Sequence, residues 1–138
     1  MNISIFGLGY VGCVSVGCLA KNGHKIIGVD INPVKVNQIN NGKATIIEKD
    51  IDIIISEQHK LGNISATISA AEGVAKSDIS IIAVGTPSSE RGHLDLSHIF
   101  DVAGRIGDAL KTKSEFHIVV IRSTIMPGTC DKIGDNIE

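Results

Sequence analysis

The stretch Ile3-Ser4-Ile5-Phe6-Gly7-Leu8-Gly9-Tyr10-Val11-Gly12 constrains this chain more than any other. An apolar run meets three glycines spaced as G-x-G-x-x-G, and a helix-forming stretch to Asn22 follows at once. That order specifies a strand, a tight turn and a helix. Gly7 lets the chain reverse sharply, Gly9 removes a Cβ that would keep another molecule off the backbone, and Gly12 lets the helix approach the sheet closely. A second apolar run, Lys25-Ile26-Ile27-Gly28-Val29, ends on Asp30, about twenty residues after the last glycine.

The triplet alone would mean little in a chain with 15 glycines. Following a strand, opening a helix and carrying an acid at that distance, it specifies a dinucleotide site. The helix N-terminus offers free N–H groups and partial positive charge to a pyrophosphate. The carboxylate of Asp30 can accept both hydroxyl protons of an adenosine ribose and would repel a 2′-phosphate. Ile31 rather than an arginine follows, so NAD is expected over NADP. A tight turn with no ligand is the plain alternative, and the combination of strand, helix and acid weighs against it.

Down the chain, strand and helix signals alternate. The first helix is expected from Tyr10 to Asn22 with Gly23 as a left-handed cap, its inner face formed by Val11, Val14, Cys18 and Leu19, and Gly17 allowing close packing on the sheet. Asn32-Pro33 opens a second helix with Val36 and Ile39 inside and Gly42 at its end. Lys35, one turn into it, lies near Asp30 and either touches the cofactor or serves solubility. Ile51, Ile54, Ile55 and Gln58 have helical spacing, with Asp50 as the cap and Gly62 as the stop, although the β-branched run Ile51–Ile55 leaves a strand open. Ile64, Ala66 and Ile68 suggest a short strand, and Ala70 to Lys76 a brief helix. The nearly continuous apolar run Ile79–Val84 reads as a central parallel strand. It ends at Gly85-Thr86-Pro87-Ser88. Asp95 can cap a long helix marked by Ile99, Val102, Ala103, Ile106 and Leu110. His117 to Arg122 forms a fifth strand that ends on Ser123-Thr124, and one more helix begins after Met126-Pro127-Gly128-Thr129. The expected fold is a Rossmann-type α/β domain, a doubly wound parallel sheet in the order 3-2-1-4-5 with the sixth strand missing, filling residues 1–138 as one unit.

Composition narrows the function classes. With 43% hydrophobic and 20% charged residues the chain reads as an ordinary globular domain, and no window approaches the roughly 18 apolar residues of a membrane span. A cytoplasmic protein is expected. A net charge of −2 and 3% aromatic residues give no footing for nucleic acid. Cys13, Cys18 and Cys130 form neither a disulfide framework nor a zinc pattern, and the first two are expected as small buried hydrophobes. The histidines His24, His59, His93, His98 and His117 lack the spacing of a metal site.

Taken with Gly28-Val29-Asp30, Val84-Gly85-Thr86-Pro87, Asp95-Leu96 and Arg122-Ser123-Thr124 with Pro127-Gly128-Thr129, the glycine turn makes the whole chain resemble the nucleotide-sugar 6-dehydrogenases that oxidise UDP-glucose or GDP-mannose. Within that family it is most similar to the GDP-mannose branch, through Ile3-Ser4-Ile5-Phe6, Gly17-Cys18-Leu19, the Gly92-x-Leu94-Asp95-Leu96 loop and Arg122. UDP-glucose is the alternative substrate. The resemblance implies that Tyr10 and Val11 meet the pyrophosphate through backbone N–H groups, Asp30 the ribose, Lys35 the adenine-side half, and Thr86 and Thr124 the cofactor from two adjacent loops. Local turn bonding would explain both threonines without a ligand, but their place at adjacent strand ends favours the ligand. The chain departs from the family at Lys49-Asp50, where Pro-Gly is usual after Glu48.

The family's chemistry is oxidation of a C6 alcohol to a carboxylate with two NAD, through a cysteine-bound thiohemiacetal and thioester. Its nucleophile and base belong to later segments than this one, so none of these residues is expected to be catalytic, and Cys130 is not a motif cysteine. The family also implies a homodimer for the complete enzyme. A regulatory NAD-sensing module would share the strand, turn and acid but would not need the loops at Thr86 and Thr124 together. A methyltransferase using S-adenosylmethionine need not keep the strict glycine spacing.

Overall fold

The computed structural model describes residues 1–85 and 97–123. Five strands, β1 (Asn2–Phe6), β2 (Lys25–Val29), β3 (Ile64–Thr67), β4 (Ile79–Ile82) and β5 (Ile118–Ile121), form one sheet in the order β3-β2-β1-β4-β5. Every neighbouring pair is parallel. This is the order expected from the alternation of elements. The connecting helices are α1 (Tyr10–Lys21), α2 (Pro33–Asn40), α3 (Lys49–Lys60), α4 (Ala70–Ala75) and α5 (Ser97–Leu110).

Two cores follow from the twofold period of the strands. Ile3 and Ile5 point to one side, where they meet Cys13, Val16 and Ala20 of α1, Val36 and Ile39 of α2, and Ile51 and Ile55 of α3. Ile5, Ile39 and Ile55 are fully buried there, and burying such a side chain stabilises a fold by roughly 1.5–3 kcal/mol. Phe6 points the other way with Val29 and Ile82, against Val74 of α4 and Ile99, Ala103 and Ile106 of α5.

The buried face of α1 differs from the expected one. Gly12, Cys13, Val16, Gly17 and Ala20 are buried, whereas Val11 and Cys18 are exposed and Val14 and Leu19 only half-buried. The helix turns its smallest residues inward because it is pressed close to its neighbours. A Cβ on Gly17 would lie 3.3 Å from the Ile54 side chain, so Gly17 serves the contact with α3 rather than the sheet.

Residues 49–60 are helical, and the N-cap is Glu48 rather than Asp50: its carboxylate accepts the Asp50 N–H at 3.4 Å. Asp50 lies inside the first turn, where its charge favours the helix dipole. Asn32 caps α2 as expected, accepting the Val34 N–H at 3.0 Å. Gly23, Gly42 and Gly62 follow helix ends with positive φ, a conformation that residues with a Cβ rarely adopt. β3 stops at Thr67, leaving Ile68 exposed, and β4 stops at Ile82, short of Val84. The expected cap at Asp95 and the helix after Thr129 lie outside the described residues. Among those described, no helix is long and apolar enough to cross a membrane.

Ser4 shares a face with Phe6 but sits nearer the amino ends of the strands, where the core turns polar. Its hydroxyl lies 2.7 Å from that of Ser80 in β4 and accepts from Ser77 at 3.0 Å. Ser80 in turn meets His117 Nε2 at 2.8 Å. Lys113 donates to the carbonyls of Val74 and Ser77 close by. Among the described residues, His117 Nδ1 is buried without a partner. Burial, and then the Lys113 charge, lower the His117 pKa from its ordinary value of 6.5. The folded protein therefore takes up this proton less readily than the unfolded chain does. Stability is present above pH 6.5 and lost as pH falls through the window between 6.5 and the lower folded value. Denaturant unfolding should show stability falling between pH 7.5 and 5.5, and His117→Gln should flatten that slope; an unchanged slope in the variant would exclude His117 as its source.

Candidate functional site

Strand register brings the two halves of the site together. β1 and β2 pair Phe6 with Val29, so Gly7 and Asp30 leave the sheet side by side at its carboxyl edge. The Gly7 N–H extends the pairing by one bond, to the Val29 carbonyl at 2.8 Å. Gly7 has φ +102°, and a Cβ on it would come within 2.8 Å of the Ala83 carbonyl oxygen at the end of β4. The turn then folds back so far that a Cβ on Gly12 would lie 1.6 Å from the Gly7 carbonyl oxygen. No side chain fits between them. Gly12 thus holds the first turn of α1 against the glycine turn itself.

Leu8 is fully buried, packed under Gly28 of β2, where an added Cβ would meet it at 2.8 Å. Its N–H donates to Asp30 Oδ2 at 2.8 Å, and its carbonyl accepts the Thr45 hydroxyl at 2.6 Å. The other Asp30 oxygen accepts the Asn32 N–H at 2.9 Å. Each carboxylate oxygen therefore has one protein donor and a lone pair left over.

Above the turn lies a cavity of about 630 Å³, within the range of roughly 300–1,000 Å³ usual for small-molecule sites. Gly7, Gly9, Tyr10, Val11, Asp30 and Lys35 all line it. Gly12 does not; it supports the others from behind. No side chain caps α1, so its first N–H groups and the positive end of its dipole open on this space. Around Gly9 the protein leaves a cradle: a Cβ there would meet no protein atom within 4 Å. A small annex of about 80 Å³, walled mostly by Phe6, Val29, Ile31, Ile68, Val84 and Val102 but also by His98, Asp101 and Arg105, adjoins the cavity at Asp30. Thr86 and Thr124 lie outside the described residues.

The lining also includes residues not anticipated as site residues, chiefly Ile31, Asn32, Val84, His98 and Arg122. All sit just after a strand or at a helix start, a signal that could have found them once the sheet order was known. Ser123 lines the cavity too, but its hydroxyl donates to the Val84 carbonyl at 2.8 Å. Its role there is to tie the ends of β4 and β5 together.

Residues 1–138 match the family model for the UDP-glucose/GDP-mannose dehydrogenase family, NAD binding domain. The chain belongs to that family. It is 47% identical to the GDP-mannose 6-dehydrogenase of Pseudomonas aeruginosa over 133 residues, which is 96% of this chain and 30% of that protein. The UDP-glucose 6-dehydrogenase of the same organism is 34% identical over 138 residues, again 30% of its length. A crystal structure of a ternary complex of the P. aeruginosa GDP-mannose dehydrogenase superposes with a TM-score of 0.95 at 45% identity, covering 99% of this chain and 32% of that one. This chain thus spans about a third of the relatives it matches, and within the dehydrogenase family it is the NAD-binding domain.

The two glycines separate ligand from fold. Gly9→Ala is expected to keep the parent's stability and to bind NAD about tenfold more weakly, a change equivalent to ~1.4 kcal/mol. Gly12→Ala is expected to lose about 3 kcal/mol or more of stability through overpacking. Denaturant melts and titration calorimetry read both; Gly9→Ala binding as tightly as the parent would show that nothing approaches the backbone there.

Proposed function

We propose that the cavity above the glycine turn is where NAD sits, and that the chain supplies the cofactor-holding domain of a nucleotide-sugar 6-dehydrogenase acting on GDP-mannose. The observation that carries this is Asp30. Its carboxylate is fixed by the Leu8 and Asn32 N–H groups and lines a cavity that also reaches the uncapped start of α1. That arrangement supports the ribose hydroxyls on Asp30 and the pyrophosphate on the N–H groups of Tyr10 and Val11. The largely apolar annex beside Asp30 suits an adenine ring, and Lys35 supplies positive charge on that side. Thr86 and Thr124 follow β4 and β5 in the sequence, and the reading assigns them contacts with the same cofactor. When bound, NAD supplies the hydride acceptor.

The higher identity to GDP-mannose enzymes than to the UDP-glucose enzyme supports GDP-mannose, oxidised to GDP-mannuronate with two NAD, as the reaction of the complete enzyme. The same reading makes that enzyme a cytoplasmic homodimer. Cys13 is sealed in the core and Cys18 lies exposed on α1, and neither lines the cavity, so the thiol chemistry is assigned to segments other than these.

Calorimetry of this chain with NAD, NADP and S-adenosylmethionine tests the site. NAD is expected to bind, NADP about tenfold or more weakly, and S-adenosylmethionine not at all. Asp30→Ala is expected to cost about 10- to 100-fold in NAD affinity, as for hydrogen bonds to a charged group, and to narrow the gap to NADP. Equal binding of NAD by the parent and Asp30→Ala would sink the assignment. For the substrate, NADH formation by the protein that carries this domain should be faster with GDP-mannose than with UDP-glucose.

A further inference from the structure

The glycine turn has a second anchor besides Asp30, and it comes from an unexpected quarter. Thr45 lies in the connection between α2 and α3, 37 residues from Leu8, yet its hydroxyl donates to the Leu8 carbonyl at 2.6 Å. The backbone before it is held by two hydrogen bonds, and the residues on either side of it pack on the core. The Ala44 N–H donates to Asp52 Oδ1 at 3.0 Å, the Lys43 N–H to the Gln38 carbonyl at 2.8 Å, and Ala44 and Ile46 pack against the core around α1 and α3.

The planarity of the peptide bond gives this contact a consequence. The Leu8 carbonyl and the Gly9 N–H belong to one trans peptide and point in opposite directions. Holding the carbonyl oxygen therefore aims the N–H away from Thr45. With glycine at position 9 the Leu8–Gly9 peptide could otherwise rotate between orientations at little steric cost. Asp30 does not prevent this, because it grips the preceding peptide through the Leu8 N–H. Gly9 lines the cavity, and a Cβ on it would find no protein neighbour, so its backbone is the part of the turn most open to a ligand.

We propose that Thr45 is a positioning residue for the cofactor: its hydroxyl locks the Leu8–Gly9 peptide and so presents the Gly9 N–H to the pyrophosphate of NAD. The proposal rests on the assignment of NAD to this cavity. Thr45 touches the turn and acts through it, fixing in advance an orientation that the ligand would otherwise have to select.

Thr45→Val removes the hydroxyl and keeps the shape, while Thr45→Ser keeps the hydroxyl. In calorimetric titrations of this chain, Thr45→Val should bind NAD about two- to tenfold more weakly, the range for one neutral hydrogen bond, and Thr45→Ser should match the parent. NMR relaxation of the Gly9 amide in the absence of NAD gives a second readout. Thr45→Val should add conformational exchange at Gly9 selectively, with the thermal midpoint little changed. Parent-like affinity in Thr45→Val, or an equal loss in both variants, would overturn the proposal. Failure of the parent to bind NAD, or full binding by Asp30→Ala, would instead bring down the assignment of the cavity, and this inference with it.

Discussion

The contact between Gly12 and the Gly7 carbonyl sets the position of everything else at the carboxyl edge of the sheet. With 1.6 Å available for a Cβ, only hydrogen fits, and α1 starts hard against the end of β1. The N-cap residue of that helix is Gly9, which has no side chain to offer, and no side-chain cap bond is present. Its free N–H groups are left for whatever enters the cavity. Parallel register does the rest: because Phe6 pairs with Val29, the residue after β2 emerges beside the turn. An acid at that position can grip the Leu8 N–H, whereas an acid one residue earlier would belong to the strand.

The same sheet separates this edge from His117. Along the face that carries Ser4 and Phe6, the apolar half lies toward the carboxyl ends and the hydroxyl-rich half toward the amino ends. His117 is bonded to Ser80, three residues before Ala83 reaches the cavity lining. Protonating His117 would leave a partly desolvated charged imidazole facing Lys113, a cost that the Ser77 carbonyl and the Asp78 charge offset only in part. That cost falls on the packing of β5 and α4 against the sheet. It reaches the cavity at the carboxyl edge only through loss of the fold.

What the sequence made legible was what short range determines. The turn at Gly7, the acid at Asp30, the cap at Asn32 and the helix stops at Gly23, Gly42 and Gly62 each depend on a few adjacent residues, and each stands where expected. Strand order followed from alternation, since strands joined by helices must run parallel. The inner face of α1 was misread because periodicity rewards large apolar residues such as Val14 and Leu19. Close packing against β1 and α3 rewards small ones instead, and Gly12, Gly17 and Ala20 went inside. Glu48 displaced Asp50 as a cap through a choice between neighbouring acids that composition does not resolve. Thr45 was out of reach for another reason: it joins the turn only through the completed fold, 37 residues from Leu8, whereas His98 and Arg122 could be placed on the cavity once the sheet order was known.

On the proposed assignment, Asp30 combines a structural and a ligand-directed role in one side chain. A bare carboxylate at the mouth of a cavity would rotate and would keep its water. Here each oxygen already accepts one backbone N–H, from Leu8 and from Asn32, so the plane of the group is fixed and part of its desolvation is offset before any ligand arrives. The lone pairs that remain are acceptors only. A hydroxyl entering the cavity can donate to them, whereas a phosphate oxygen has no proton to donate and carries the same sign of charge. On the proposed assignment, selectivity between a free ribose and a phosphorylated one would follow from the bonds that hold the glycine turn in shape, and a substitution that relaxed the turn would weaken both.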